Sequence, residues 1–154
     1  QGRIFSFFNR ETGTHNFQSD KAIESITSGG FFGKGIGEGV LKNRVPEAHT
    51  DYIISVISEE FGVVAIMLIL LLFLILIYMV FKKIILETND KVKLILIGSI
   101  SLILMQVTIH VGVNIRLFPT TGMTLPFLSY GGSSIISTSI LAGIILNLTK
   151  RKIN

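Results

Sequence analysis

The chain contains no cysteine, which excludes disulfide bridges and thiolate metal sites and leaves the redox compartment undetermined. Neither a Met nor a signal peptide stands at its start, where the first residue is Gln1. It also lacks the common phosphate-binding signatures. The stretch SGGFFGKGIGEG sets Gly33, Gly35, Gly37 and Gly39 at every second position. A Walker A loop needs Gly, four residues, then Gly-Lys-Ser/Thr, whereas position 28 is Ser and Gly35 follows Lys34. The dinucleotide fingerprint needs a preceding strand and G-x-G-x-x-G spacing, and both are absent. What remains is a tight loop with many positive-φ positions. Acid is scarce in the second part: residues 61–154 carry two Asp/Glu against eight Lys/Arg, a net of +6, while residues 1–60 carry eight against six, a net of −2.

What the chain does have is apolar sequence, unevenly placed. Hydrophobic residues make up 49% and the mean hydropathy is +0.64. Residues 61–81 (FGVVAIMLILLLFLILIYMVF) are 21 uncharged residues, enough to cross a hydrocarbon core of about 30 Å. A second run spans 94–115 and a third 126–148. Backbone groups in lipid must pair within their own segment, so all three are expected to be helices. A soluble three-helix core is the alternative, and the uncharged run argues against it. A pI near 9.5 could suggest nucleic acid, but the cations sit at the ends of apolar runs, as topological anchors do. Lys82, Lys83, Lys91 and Lys93 flank the loop 82–93, and Lys150, Arg151 and Lys152 form the tail 149–154. The positive-inside rule makes both cytoplasmic, and makes residues 1–60 and the loop 116–125 extracytoplasmic. Exported early residues without a signal peptide imply an upstream segment, so the sequence reads as a C-terminal fragment.

The second run is not uniformly apolar. Ser99, Gln106, His110 and Asn114 recur at spacings of seven, four and four, which places them on one helical face. Two readings are open: hydrogen bonding between helices, or a direct part in chemistry. Arg116 at the outer end is expected to snorkel toward the surface. Ser133, Ser137, Ala142 and Gly143 in the third run permit close helix contact. A polar stripe and a small-residue face on so few helices again suggest missing partners.

Upstream of the first run, Pro46 and Glu47 suit a helix start, with Asp51 in its first turn. On that helix Asp51, Ser55 and Glu59 would share a face. Asp51 can serve the helix N-terminal dipole, worth about 0.3–1 kcal/mol, or act as a catalytic carboxylate. Glu59 and Glu60 lie just before the hydrophobic run and must find cations, water or protons. Lys34, Lys42 and Arg44 bring three cations to the outer side, either solvated or meeting lipid phosphates.

Three strings, QSDKAIESITSGGFFGKGIGEG, VPEAHTDYIISVISEEFG and FPTTGMTLPFLSYGGSS, resemble in order and separation the SEDS family (shape, elongation, division and sporulation). They span about residues 18–134, and the flanks are compatible, so the resemblance covers essentially the whole chain. The third string looks more like the division branch, or its sporulation relative, than the elongation branch. The resemblance implies a ten-helix all-α integral membrane fold. This chain would supply the large extracytoplasmic loop, with short helices carrying the HTD motif, and then the last three transmembrane helices. The segment alone would be inactive, because the family's other cavity-lining residues lie upstream.

The resemblance further implies a peptidoglycan glycosyltransferase that polymerises lipid II at the division septum of the bacterial inner membrane. The essential Asp of the family's HTD motif falls on Asp51. Tyr52 stands where the family more often has Phe, a mild departure. Glu47 and His49 carry over from PE-x-HTD, and Gln18, Lys42, Ser129, Tyr130, Gly131, Gly132 and Ser133 also match. Substrate-contacting candidates are then Lys34, Lys42, Glu47, His49, Ser129, Gly131 and Gly132. His49 is either a partner of the catalytic Asp or a plain loop residue. A positioned carboxylate aiding a sugar hydroxyl is worth about 10²–10⁴-fold, and Asp51 is the candidate general base. The leaving diphosphate needs positive charge, from Lys34, Lys42, Arg44 or a divalent cation (Mg or Mn). With no metal cluster in the sequence, such an ion would bind mainly through substrate phosphate. The implied partners are a class B penicillin-binding protein transpeptidase and other divisome membrane proteins, with no nucleic acid. A lipid II translocase and a non-catalytic division scaffold are the competing readings.

Overall fold

The computed structural model describes residues 14–40 and 48–150. They form four helices: α1 (Thr14–Gly29), α2 (Ile53–Leu86), α3 (Asp90–Asn114) and α4 (Gly132–Thr149), with no strand among the described residues. The last three are long and apolar enough to cross a membrane. The chain is thus an all-α membrane protein.

At about 1.5 Å per residue, the 34 residues of α2 would measure roughly 50 Å, well beyond a 30 Å hydrocarbon core. The helix resolves this with a break at Gly62, whose φ of 81° and ψ of 176° are non-helical. A break in a helix leaves orphan N–H and C=O groups that must find partners. The glycine-rich loop supplies them. Val63 N–H donates to the Gly30 carbonyl (3.0 Å), and the Glu59 and Glu60 carbonyls accept from the N–H groups of Lys34 (2.9 Å) and Gly35 (3.1 Å). The expected positive φ values occur at Gly33, Gly35 and Gly37, and they let the loop lie flat against the broken turn. The glycines that failed as a phosphate loop therefore patch the backbone of a kinked helix.

α3 packs against both other long helices. Leu96, Ile100, Ile103 and Val107 form one stripe along it, at helical spacing. They meet Phe73, Val80 and Ile84 of α2 and Ile145 of α4 in one buried cluster. A second cluster, Ala22, Ala48, Tyr52, Val56 and Val113, seats α1 on the start of α2 and the end of α3. There Tyr52 Oη lies 3.2 Å from Ser19 Oγ.

Several expected boundaries shift. α3 begins at Asp90 rather than 94, because Asn89 Oδ1 accepts from Lys91 N–H as an N-cap (3.1 Å). It ends in a Schellman motif. Leu117 N–H returns to the Gly112 carbonyl (2.7 Å) and Arg116 N–H to the Val113 carbonyl (3.1 Å). Arg116 takes the left-handed position usually given to glycine, with φ of 62°, and its guanidinium bonds Asp20 of α1. α4, the helix of the third apolar run, starts at Gly132, not at 126. Residues 126–130 form a turn in which Phe127 has φ of 64° and Ser129 N–H reaches the Leu125 carbonyl (3.1 Å). The small residues Ser133, Ser137 and Gly143 face away from the described helices, and α4 instead buries Thr138 and Ile145. Finally, α2 begins at Ile53, so Asp51 sits in the turn ahead of the helix and not in its first turn. Pro46 lies outside the described residues.

Candidate functional site

The turn 48–52 is built from Ala48, which is buried, His49, which is exposed, and Thr50, Asp51 and Tyr52. Such a turn has carbonyls that no helix satisfies, and at the edge of a membrane they need protein partners. Three consecutive carbonyls are held by two elements, the 125–130 segment and the end of α3. His49 C=O accepts from Tyr130 N–H (3.0 Å). Thr50 C=O accepts from Ser129 Oγ (2.8 Å) and lies 3.2 Å from His110 Nε2. Asp51 C=O accepts from Asn114 Nδ2 (2.9 Å).

The polar stripe of α3 thus serves this turn through its C-terminal half. His110 and Asn114 are both fully buried. The hydrogen-bond inventory fixes their orientations. Asn114 Oδ1 faces two donors of Ser55, its backbone N–H (3.1 Å) and its hydroxyl (2.7 Å). Asn114 Nδ2 faces the carbonyls of Asp51 and His110. His110 Nε2 faces the Thr50 carbonyl, which calls for a proton on Nε2, and Nδ1 lies 3.3 Å from Asn114 Nδ2, whose two hydrogens go to the carbonyls of Asp51 and His110. Of the two readings open for the stripe, hydrogen bonding between elements describes what these two side chains do. Gln106, farther down the helix, has a buried Oε1 with no partner among the described residues.

The Asp51 side chain is 6% exposed. Its Oδ2 accepts from the Gly122 N–H (3.1 Å), contributed by the loop between α3 and α4. The HTD turn, the end of α3 and the FPTTGMTLPFLSYGGSS segment therefore meet at Asp51, α3 through its main-chain carbonyl and Gly122 through its carboxylate. Gly122 and Ser55 were not singled out for this role by spacing. The signal for Gly122 was only its place inside a matching string, since a backbone N–H leaves no side-chain signature.

The remaining expected site residues divide. His49, Ser129 and Tyr130 line a groove of about 460 Å³ with Ile53, Phe127, Leu128 and Ile135. Ser129 is 3% exposed, its hydroxyl engaged by the Thr50 carbonyl and by Leu125 N–H (2.9 Å). Gly131 is the N-cap of α4, and its Cβ position is 3.5 Å from Thr124 Cγ2. Gly132 opens α4, with nothing within 4 Å of its Cβ position. Lys34 lies elsewhere: its ammonium pairs with Glu59 (3.2 Å), a carboxylate only 2% exposed. Together they line a second, polar cavity of about 230 Å³ with Lys21, Glu24, Ser25 and Ser28. Glu59 thus finds the cation that its burial demands. Lys42, Arg44 and Glu47 lie outside the described residues. Among the described residues no group of three or more His, Asp or Glu could hold a metal ion.

Comparison with known proteins places this geometry in context. The family described as "Cell cycle protein", covering FtsW, RodA and SpoVE, matches residues 1–154. "Probable peptidoglycan glycosyltransferase FtsW" of Enterococcus hirae is 39% identical over 138 residues, 89% of this chain and 35% of the relative. The protein of the same name from Caulobacter vibrioides is 39% identical over 136 residues, 88% of this chain and 35% of the relative. "Stage V sporulation protein E" of Bacillus subtilis is 38% identical over 135 residues, 87% of this chain and 37% of the relative. The chain spans somewhat over a third of the length of the curated relatives it matches. With the family matched from end to end and the HTD turn assembled from its motifs, the chain belongs to the FtsW/RodA/SpoVE family of cell cycle proteins.

Proposed function

We propose that this chain is part of a peptidoglycan glycosyltransferase that polymerises lipid II during septal wall synthesis, with Asp51 as its general base. The observation that carries the reading is the Asp51 turn. A buried carboxylate is oriented by the Gly122 N–H, on a backbone clamped through three successive carbonyls. The relatives' printed names supply the reaction class.

In this reaction the 4-hydroxyl of the acceptor GlcNAc attacks C1 of the donor MurNAc with inversion. Its proton passes to the Asp51 carboxylate as the new C1–O bond forms. The bond from C1 to the polyprenyl diphosphate breaks, and its electron pair leaves with the diphosphate. Proton removal by a positioned carboxylate contributes about 10²–10⁴-fold, and the rigid turn contributes orientation. Lys34 can reach a phosphate only by sharing its ammonium with Glu59. A divalent cation bound with the substrate diphosphate would neutralise the charge of the leaving group.

By the positive-inside rule, Lys82, Lys83, Lys91, Lys93 and the C-terminal tail face the cytoplasm of a bacterial inner membrane. The Asp51 turn then faces outward, where a lipid-borne sugar is presented. A class B penicillin-binding protein transpeptidase would crosslink the product within the divisome.

The test joins this segment to the full-length protein, adds the penicillin-binding partner and supplies labelled lipid II. Asp51→Asn should fold and lose chain formation by at least about 10²-fold. Equal polymerisation by both forms would falsify the general-base assignment. Lipid II flipping without polymerisation by the wild type would favour a translocase, and normal division with Asp51→Ala would favour a scaffold.

A further inference from the structure

The start of α2 presents an anomaly. Its N-cap is Tyr52, which makes no side-chain capping bond. A helix start needs an acceptor for the N–H groups of its first turn, and the usual solution is a Ser, Thr, Asp or Asn oxygen reaching the second or third N–H. Here the third N–H belongs to Ser55, and its acceptor is Asn114 Oδ1 from the end of α3, at 3.1 Å. The same oxygen takes the Ser55 hydroxyl at 2.7 Å. Asn114 therefore caps α2 from another helix. Its other half faces the opposite way, with Nδ2 donating to the Asp51 carbonyl at 2.9 Å. One carboxamide spans the junction between the helix and the residue just ahead of it.

We infer that Asn114 is a positioning residue for Asp51, a role that rests on the general-base reading of that carboxylate. The cap sets where α2 begins, and the Nδ2 bond sets the peptide plane that follows the Asp51 Cα. Together with the Gly122 N–H on Oδ2, these bonds fix the carboxylate at both its backbone and its tip. Asn114 itself is fully buried and acts on the reaction only through Asp51. Asparagine is suited to this because it offers an acceptor and a donor on one planar group. Asp offers only acceptors when ionised, and Leu offers neither.

The experiment uses the full-length protein with its penicillin-binding partner and labelled lipid II. Asn114→Asp, assayed across pH so that its ionised form is sampled, keeps an acceptor for Ser55 but when ionised loses the donor to Asp51. Its kcat should fall on the order of 10- to 100-fold, because small misplacements of a reacting group cost that much, while KM stays within about threefold. Leu96→Ala, in the buried core of the same helix, is the control for lost stability. At an equal or larger drop in melting temperature it should keep kcat within about threefold. Asp51→Asn is measured alongside. If Asp51→Asn is inactive while Asn114→Asp keeps the wild-type kcat, or Leu96→Ala loses as much as Asn114→Asp, the positioning role is overturned and the general base stands. If Asp51→Asn polymerises normally, the general-base reading falls and the positioning role with it. Should Asn114→Asp fail to assemble, Asn114→Gln replaces it, keeping both groups on a longer arm, with the same expected loss of kcat. Failure of both to assemble makes Asn114 a structural residue and overturns the proposal.

Discussion

Replacing Gly62 by Ala tests whether the glycine-rich loop and the kink in α2 form one unit. The perturbation has two parts. At φ of 81° and ψ of 176° the backbone occupies a region essentially reserved for glycine, and holding another residue there costs about 1–3 kcal/mol. An added Cβ would also lie 2.1 Å from the Phe31 carbonyl oxygen and 2.6 Å from Gly33 N. Both are backbone atoms, so the loop must move away. That movement endangers the bonds from Val63 N–H to Gly30 and from Lys34 N–H to Glu59, each worth about 1 kcal/mol net. The expected loss is about 3–5 kcal/mol, a large share of a typical stability of about 5–15 kcal/mol. Gly30→Ala serves as the reference. Gly30 also has a positive φ of 58°, but nothing lies within 4 Å of its Cβ position, so only the left-handed strain of roughly 1–2 kcal/mol applies. Thermal unfolding of the full-length protein in detergent should rank Gly62→Ala well below Gly30→Ala. Amide exchange should quicken at Val63 and Val64 in the first variant alone. If Gly62→Ala melts no lower than Gly30→Ala, the loop does not hold the kink and the reasoning fails.

Two further predictions concern charge. Lys34→Ala removes the ammonium that pairs with the nearly buried Glu59 and should cost up to about 3 kcal/mol, the low end for a broken buried pair because Lys34 is partly exposed. Adding Glu59→Gln should recover part of the loss in a melting experiment, and no recovery would show that the carboxylate is compensated by other groups. At the end of α3, Asp20→Asn removes only an exposed ion pair and should shift stability by at most about 1 kcal/mol. Arg116→Gly gives up that pair but relieves a left-handed non-glycine residue at φ of 62°, so it should melt close to wild type, whereas Arg116→Ala should fall below both.

Much of the fold could be read from the chain because membrane helices announce themselves by uncharged length. The runs 61–81, 94–115 and 126–148 each correspond to a helix in the structure. The errors cluster where a side chain or a glycine, and not hydropathy, sets the boundary. Asn89 extends α3 at its start. The turn around Phe127 delays α4 to Gly132, although Pro126, Phe127 and Leu128 are as apolar as the helix that follows. The kink at Gly62 was invisible because its cause lies some thirty residues upstream, in a loop whose alternating glycines pointed first to phosphate. The site was legible in part. Asp51, Ser129 and the His110–Asn114 stripe could be singled out, but not their meeting, because the contacts that join them are largely to main-chain carbonyls. A carbonyl has no sequence signature.

Those carbonyls also explain why α3 carries polar residues at its C-terminal end. A membrane helix that starts in an irregular turn brings unpaired backbone groups to the edge of the hydrocarbon, where water does not reliably satisfy them. Each such group is costly to leave unmade. His110, Asn114 and Ser129 supply the turn with partners for two carbonyls and one helix N–H, so the polarity of the C-terminal half of α3 follows from the break ahead of α2. The glycine-rich loop solves the same problem at Gly62 with main-chain atoms alone. The two solutions have different consequences. Main-chain patching brings only backbone atoms, whereas side-chain patching brings a carboxamide, an imidazole and a hydroxyl against the Thr50 and Asp51 carbonyls. Gln106 belongs to neither solution: it shares the stripe, but its buried Oε1 meets no described partner. The stripe therefore has two halves, and only the C-terminal one is accounted for by the turn that holds Asp51.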